Sequence, residues 1–239
     1  MQALPETKRL FLREWTMQDL DAWAAILSDA EVMRYYPKPF DRQNVQDWIA
    51  WNLENYRTDG FGLWAVHLRA TGELLGDCGI TMQQIHGQRL PEIGFHMKKS
   101  VWGQGYATEA AKACLAWGMQ QTDFPAFYCY QKSTNLPSRR VAEKLGMTLQ
   151  ETDTDPVNAF ASMYAIIKRY FLQKHKTPCC NHTAGRCLID SIIAYRKIYF
   201  NKNSIASTYS SGFTSLPLPQ TRCSRTKEIM PMEIPSEML

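Results

Sequence analysis

Several features that would place the protein in a membrane or outside the cell are missing from the sequence. No apolar stretch approaches the roughly 20 residues that a helix needs to cross a bilayer. The N-terminal segment MQALPETKRLF has no apolar core of the kind found in secretory signal peptides. We therefore expect a cytoplasmic protein without a membrane partner. The chain also has no internal repeat, which excludes a repeat architecture.

The main body of the chain lacks an excess of charge of either sign. Residues 1–172 carry 18 Lys and Arg against 19 Asp and Glu, whereas residues 173–239 carry 9 against 4. Because nucleic-acid-binding domains are usually strongly basic, we expect no DNA partner for the body. The positive excess belongs to the C-terminal segment.

Regularly spaced metal ligands are also missing. Three of the seven cysteines, Cys78, Cys114 and Cys129, are isolated in apolar runs and are predicted to be buried, reduced thiols. Four further residues match no standard zinc motif in their spacing: Cys179, Cys180, His182 and Cys187. We expect no metal site.

What is present indicates one α/β domain over residues 7–172 and a polar, basic extension over 173–239. Periodicity predicts the order β-α-α-β-β-β-α-β-α-β-β, typical of a mixed sheet with flanking helices. Residues 83–89 are polar and predict a loop. The extension is rich in Ser, Thr, Asn and Pro, so we expect little order there.

The most informative stretch is VWGQGYATEAAKACLAWGM, residues 101–119. Gly103 and Gly105 precede a run of good helix formers, and the alternating segment 91–97 before them predicts a strand. The first N–H groups of a helix have no partners within it, and with the helix dipole they favour an anion such as a phosphate. The alternative is a tight turn that packs the helix closely on the strand.

Two sequence blocks resemble the Gcn5-related N-acetyltransferase (GNAT) family, in particular its branch of ribosomal-protein N-terminal acetyltransferases. The first is the WGQGYATEA segment from Trp102, where the family pattern has Arg or Gln at the first position. The second comprises the segments 135–138 and 143–147. The resemblance covers roughly residues 7–170. It implies an α/β (α+β) fold with a mixed, mostly antiparallel sheet, flanking helices and a splayed pair of parallel strands.

The resemblance also implies how acetyl-CoA binds. The pantetheine arm would pair with the backbone of Phe95, His96 and Met97, and the amide of Asn135 would touch it. Asn135 is equally suited to be a helix N-cap. The pyrophosphate would bind the N–H groups of the loop residues Gly103, Gln104, Gly105, Tyr106, Ala107 and Thr108.

Glu92, at the start of the coenzyme strand, is the candidate general base; the alternative is an exposed carboxylate at a strand end. Many family members carry a Tyr seven residues after the Asn, as the acid for the leaving thiolate, but this chain has Ala142. Ser138 and Tyr164 are the remaining acid candidates. The His96 side chain is predicted to be structural and to face away from Phe95.

Together these features predict an N-acetyltransferase, with acetyl-CoA as cosubstrate and no metal. Transfer would be direct, since no Cys or Ser occupies the place of an activated nucleophile. The acceptor would be the primary amine of a small molecule or of a protein N-terminus. We expect a monomer or a homodimer. The alternative is a catalytically degenerate module with an acyl-CoA-binding or regulatory role.

Overall fold

The computed structural model describes residues 3–155 and 159–167, with the backbone alone at 153, 155 and 159–167. The strands in these residues are β1 Leu10–Arg13, β2 Leu63–Leu68, β3 Leu74–Ile85, β4 Gln88–Met97, β5 Ala126–Lys132, β6 Thr148–Asp155 and β7 Ala159–Ile167. The α-helices are α1 Leu20–Leu27, α2 Arg42–Thr58, α3 Tyr106–Gln121 and α4 Leu136–Lys144. This order of strands and helices confirms the one predicted from the sequence.

Helix α2 illustrates how the local sequence determines an element. The Asp41 carboxylate accepts a hydrogen bond from the N–H of Asn44 at 2.9 Å, which satisfies one of the free donors at the helix start. Val45, Trp48 and Ile49 recur at helical spacing and are buried. Burial of this apolar face stabilises the helix against the sheet, because an isolated helix of this length is only marginally stable in water.

The strands form one sheet in the order β1-β2-β3-β4-β5-β7-β6, and all neighbours run antiparallel except β4 and β5. On one face, α3 and α4 pack on a core that includes Leu75, Ile80 and Phe127. On the other face, α1 and α2 form a second core around Trp23 and Trp48. The predicted mixed, mostly antiparallel sheet with flanking helices is confirmed.

The parallel pair β4 and β5 separates almost at once. The two strands are in register only at Glu92 and Tyr128. Two residues further along β5, the N–H of Tyr130 donates to the Glu92 side chain at 3.0 Å rather than to a backbone carbonyl of β4. This separation is the splayed strand pair that the family resemblance implies.

The prediction of a loop over residues 83–89 is wrong. Strands β3 and β4 continue as a hairpin through this polar segment and turn at His86 and Gly87, whose φ angles are 51° and 71°. Two successive positive φ angles are typical of the tight turn that matches strand twist. His-Gly is an unusual sequence for that turn, so the local pattern does not indicate the hairpin.

The predicted boundary at 172, the extension 173–239 and its four candidate zinc ligands lie outside the described residues. Within the part of the chain that is described, no helix combines the length and apolarity needed to cross a membrane.

Candidate active site

A cleft of about 590 Å³ opens where β4 and β5 separate. Its walls come from both strands, the loop before α3, the start of α4, and the segment between α1 and α2. Because successive side chains of a strand point to opposite faces, β4 contributes residues to both faces of the sheet. Ile93 and Met97 lie in the α3–α4 core, whereas His96 packs against Trp48 in the α1–α2 core. The prediction that the His96 side chain faces away from Phe95 is confirmed.

The loop before α3 has the geometry of an anion site. Gly103 and Gly105 have φ angles of 77° and 82°, in the left-handed region that favours glycine. No N–H group from Gly103 to Thr108 donates a hydrogen bond to any described residue, and the loop lines the cleft. Helix α3 follows, so its dipole adds positive potential at these N–H groups.

Arg9, just before β1, holds this loop from behind. Its Nη1 donates to the Gln104 carbonyl at 3.1 Å, and its Nε donates to the Glu109 carboxylate at 2.6 Å. The guanidinium also lies over the Tyr106 ring, 4.2 Å from its centroid. Since Arg9 binds the Gln104 carbonyl, it helps to fix the orientation of the adjoining peptide groups. The sequence analysis missed Arg9, because almost a hundred residues separate it from the loop.

The edge of β4 that faces the cleft is identified by its pairing with β3. The N–H of Lys98 donates to the Leu75 carbonyl at 2.8 Å, so even-numbered residues of β4 direct their backbone groups towards β3. The backbone groups of Phe95 and Met97 therefore point into the gap between β4 and β5. An added chain could pair with them there.

Two backbone groups near this edge already have partners. The Met97 carbonyl accepts a hydrogen bond from the indole N–H of Trp102 at 2.7 Å. The N–H of His96 donates to Asp77 Oδ1 at 2.8 Å, on the β3 side. Of the three predicted coenzyme contacts on β4, His96 thus differs from the other two, because its backbone faces away from the gap.

Glu92 lines the cleft at the one position where β4 and β5 are paired. Its side chain is partly exposed, yet protein surrounds it closely enough that burial raises its pKa to about 7. The hydrogen bond from the Tyr130 N–H lowers the pKa and offsets part of this effect. A carboxyl group with a pKa near neutrality suits proton transfer at physiological pH.

A hydrogen-bonded chain of side chains lies on the same face as Glu92. Asp77 Oδ1 is 2.8 Å from His96 Nδ1, and His96 Nε2 is 2.7 Å from the Tyr36 hydroxyl. Asp77 is fully buried, and its Oδ2 accepts from the Trp48 indole at 3.2 Å. The sequence analysis did not find this chain; the signal available was an Asp within the apolar strand ELLGDCGIT.

The predicted residues around α4 are placed differently from one another. Asn135 lines the cleft, and its Oδ1 accepts the N–H of Ser138 at 3.2 Å, so it is a helix cap. Ser138 also lines the cleft. The side chain of Tyr164 lies outside the described atoms. Ala142 is fully buried, so α4 presents no acid from that position.

Gln131 on β5 is a cleft residue that the sequence analysis missed. It is 8% exposed, and neither its Oε1 nor its Nε2 has a hydrogen-bond partner among the described residues. A buried amide without partners is unfavourable by about 1–3 kcal/mol, so its retention beside a cleft suggests that a ligand satisfies it.

The cysteines in the described residues are not candidate nucleophiles. Cys78, Cys114 and Cys129 are free and buried, as predicted. Burial raises the pKa of Cys78 and of Cys129 well above the usual thiol range, so these two remain neutral thiols. The described residues also contain no group of three or more His, Cys, Asp or Glu that could hold a metal ion.

Comparison with known proteins agrees with this geometry. The family model for the acetyltransferase (GNAT) domain matches residues 9–148. The uncharacterized protein YkkB of Bacillus subtilis is 39% identical over 149 residues, which are 61% of this chain and 86% of YkkB. The uncharacterized N-acetyltransferase YnaD, also of Bacillus subtilis, is 31% identical over 142 residues, 59% of this chain and 80% of YnaD.

The fold is also similar to that of RimL, an alpha-N-protein acetyltransferase of a ribosomal protein, solved in complex with coenzyme A. The TM-score is 0.59 at 17% identity, over 70% of this chain and 98% of the RimL chain. This likeness concerns the fold. Since the family model spans more than half of the sequence, the chain belongs to the GNAT family of acetyltransferases.

Proposed function

We propose that the protein transfers the acetyl group of acetyl-CoA directly to a primary amine bound in the cleft between β4 and β5. One observation carries this proposal: the same cleft is lined by the loop Gly103–Thr108, whose N–H groups have no partner among the described residues, and by Glu92, a carboxyl group with a raised pKa. The first can bind a diphosphate and the second can take up a proton. Acetyl transfer from a thioester to an amine needs both.

The coenzyme would bind on the α3–α4 side of the cleft. Its pyrophosphate would accept hydrogen bonds from the N–H groups of Gly103–Thr108. Its pantetheine arm would pair with Phe95 and with the N–H of Met97. Asn135 and Gln131 line the same cleft, so their side-chain amides could also contact the pantetheine arm. A backbone N–H on the gap side of β4 would stabilise the developing negative charge on the thioester oxygen.

The acceptor would approach from the α1–α2 side, which Glu92 and His96 share. Most amines are protonated at neutral pH and cannot attack until a proton leaves. Glu92 would take that proton, directly or through a water molecule. Because its pKa is raised to about 7, it combines a useful basicity with a substantial deprotonated fraction.

The amine itself is identified only by class. The body of the chain is close to neutral, so charge gives no preference for a strongly cationic acceptor. RimL acts on a protein N-terminus, but at 17% identity that likeness supports a shared fold and not a shared acceptor. We therefore propose a primary amine, either of a small molecule or of a protein N-terminus.

A panel of amines with acetyl-CoA tests this function, with free thiol release as the readout. The panel contains benzylamine, spermidine and hexapeptides that begin with Ala, Ser or Met. Wild type is expected to release thiol with at least one of them, and Glu92→Gln is expected to bind CoA normally but to turn over about 100-fold more slowly. If wild type binds CoA but releases no thiol with any amine, this proposal is wrong, and the protein is better described as a catalytically inactive module that binds acyl-CoA.

A further inference from the structure

The chain Asp77–His96–Tyr36 has no part in the function proposed above. We propose that the Tyr36 hydroxyl, backed by His96 and Asp77, takes up the second proton that the acceptor nitrogen loses and returns it to the leaving thiolate. This inference rests on the proposed acetyl transfer. Tyr36 is then a catalytic residue, whereas His96 and Asp77 are positioning residues.

The hydrogen-bond partners determine the direction of the chain. Asp77 Oδ1 accepts from the backbone N–H of His96 at 2.8 Å and lies 2.8 Å from its Nδ1. A carboxylate can only accept, so Nδ1 carries a proton, and in the neutral imidazole that the relay requires Nε2 keeps its lone pair. The Tyr36 hydroxyl, 2.7 Å away, then donates to Nε2. Tyr36 lines the cleft, and its hydroxyl oxygen keeps lone pairs that can accept a proton.

The surroundings keep this arrangement rigid and dry. Asp77 is fully buried, and the Trp48 indole N–H donates to its Oδ2 at 3.2 Å. The rings of Trp48 and Trp23 meet the His96 imidazole edge-on, with centroids 5.4 and 6.2 Å away. The His96 side chain is only 10% exposed. Such packing restricts imidazole rotation, so the ring holds its tautomer and its contact with the Tyr36 hydroxyl.

The chemistry requires two proton transfers from nitrogen. Glu92 takes the first, from the ammonium form of the acceptor. When the neutral amine attacks, the C–N bond forms and the carbonyl π electrons move to oxygen, which leaves a positively charged nitrogen. The second proton passes from that nitrogen to the Tyr36 oxygen, while the Tyr36 proton moves to His96 Nε2. The Asp77 carboxylate stabilises the resulting imidazolium.

The same chain can supply the missing acid. As the tetrahedral intermediate collapses, the C–S bond breaks and its electron pair leaves with sulfur. The imidazolium returns its proton to Tyr36, and the Tyr36 hydroxyl gives its proton to the thiolate. The products are the amide and the free coenzyme thiol, so atoms and charges balance. This route replaces the acid that α4 lacks at position 142, which is a buried Ala.

The first test compares Tyr36→Phe with Tyr35→Phe in the full chain. Tyr35 is the adjacent tyrosine, and its ring packs on the Arg34 guanidinium, 4.9 Å from the centroid, a contact that Phe retains. With acetyl-CoA and the panel amine that wild type acetylates fastest, we expect Tyr36→Phe to lower kcat about 100-fold, with KM for CoA and Tm nearly unchanged. Tyr35→Phe should remain within about twofold of wild type.

The outcomes separate this inference from the proposed function. If Tyr36→Phe keeps the kcat of wild type, the relay is wrong while acetyl transfer stands. If wild type itself releases no thiol with any panel amine, the proposed function has failed and the relay fails with it.

A second test follows the proton directly. ¹⁵N NMR of wild type should show His96 protonated at Nδ1 and unprotonated at Nε2. Asp77→Asn should reverse this tautomer, because an amide can donate to Nδ1, and its kcat should fall about as far as that of Tyr36→Phe. The double variant should be no slower than the slower single variant, since one chain is interrupted in both. A proton on Nε2 in wild type, or fully additive losses, would overturn the relay.

Discussion

Glu92→Gln should change how the stability of the protein depends on pH. In the folded protein, burial raises the pKa of this carboxyl from 4.5 to about 7. Between these two values the folded state keeps a proton that the unfolded state releases. The stabilisation linked to this proton is complete below pH 4.5 and is lost as pH rises through about 7. Gln cannot titrate, so the variant lacks this loss.

The expected magnitude follows from the size of the pKa change. Each pKa unit corresponds to about 1.4 kcal/mol, so the full change corresponds to about 3 kcal/mol in the free energy of unfolding. Because Glu92 is partly open to the cleft, solvent screening reduces this value, and we expect about 2 kcal/mol. Wild type should therefore lose about 2 kcal/mol more stability than Glu92→Gln between pH 4.5 and pH 8.

Urea unfolding at several pH values measures this difference. Glu143→Gln is the matched control, since Glu143 is an exposed carboxylate on α4 and its side chain is 46% accessible. Its stability should follow the wild-type curve. If the Glu92→Gln and wild-type curves run parallel over the whole pH range, the buried carboxyl does not carry a raised pKa, and the argument for Glu92 as a base near neutrality is refuted.

Three further predictions concern the coenzyme side of the cleft. Gly105→Ala should lower stability by about 1 kcal/mol and weaken CoA binding, because the φ angle of 82° strains the backbone of any residue with a Cβ. The added Cβ itself would make only an ordinary contact with Arg9. Urea unfolding measures the change in stability, and CoA titration measures the change in affinity. Arg9→Ala should weaken CoA binding several-fold, because Arg9 holds the loop through the Gln104 carbonyl. The control Arg57→Ala removes only an exposed ion pair on α2 and should leave CoA affinity unchanged. Equal CoA affinities of the two variants would contradict the role of Arg9 in holding the loop. Gln131→Leu should raise stability by about 1 kcal/mol, because it removes a buried amide that has no partner among the described residues. The same change should weaken CoA binding about tenfold, because the bound coenzyme would lose a hydrogen-bond partner. Unchanged CoA affinity would show that the amide does not contact the coenzyme.

Much of the fold could be predicted because its signals are local. The apolar spacing of Val45, Trp48 and Ile49 identified α2, and the two glycines before α3 identified the loop. The hairpin at His86 was missed because its turn has an unusual residue at a positive φ. Local patterns predict elements well where side-chain spacing and turn residues agree, and they fail where one of the two departs from the common pattern.

The candidate site divides in the same way. The sequence predicted Glu92 and the loop 103–108 as candidates from their positions, but it predicted neither Arg9 nor Gln131. It assigned His96 a backbone contact, whereas the backbone N–H of His96 bonds to β3 and its side chain joins Asp77 and Tyr36. The partners lie 19 and 60 residues away from His96, and no local pattern records such a distance.

The sequence alone therefore determined the order of the elements, the left-handed glycines and the family, since each depends on residues that are near one another along the chain. Only the tertiary structure decided the raised pKa of Glu92, the burial of the Gln131 amide and the chain from Asp77 to Tyr36. The physical reason is that a pKa or a hydrogen bond depends on how much water is excluded and which groups meet in space. Those conditions exist only after distant segments have packed together.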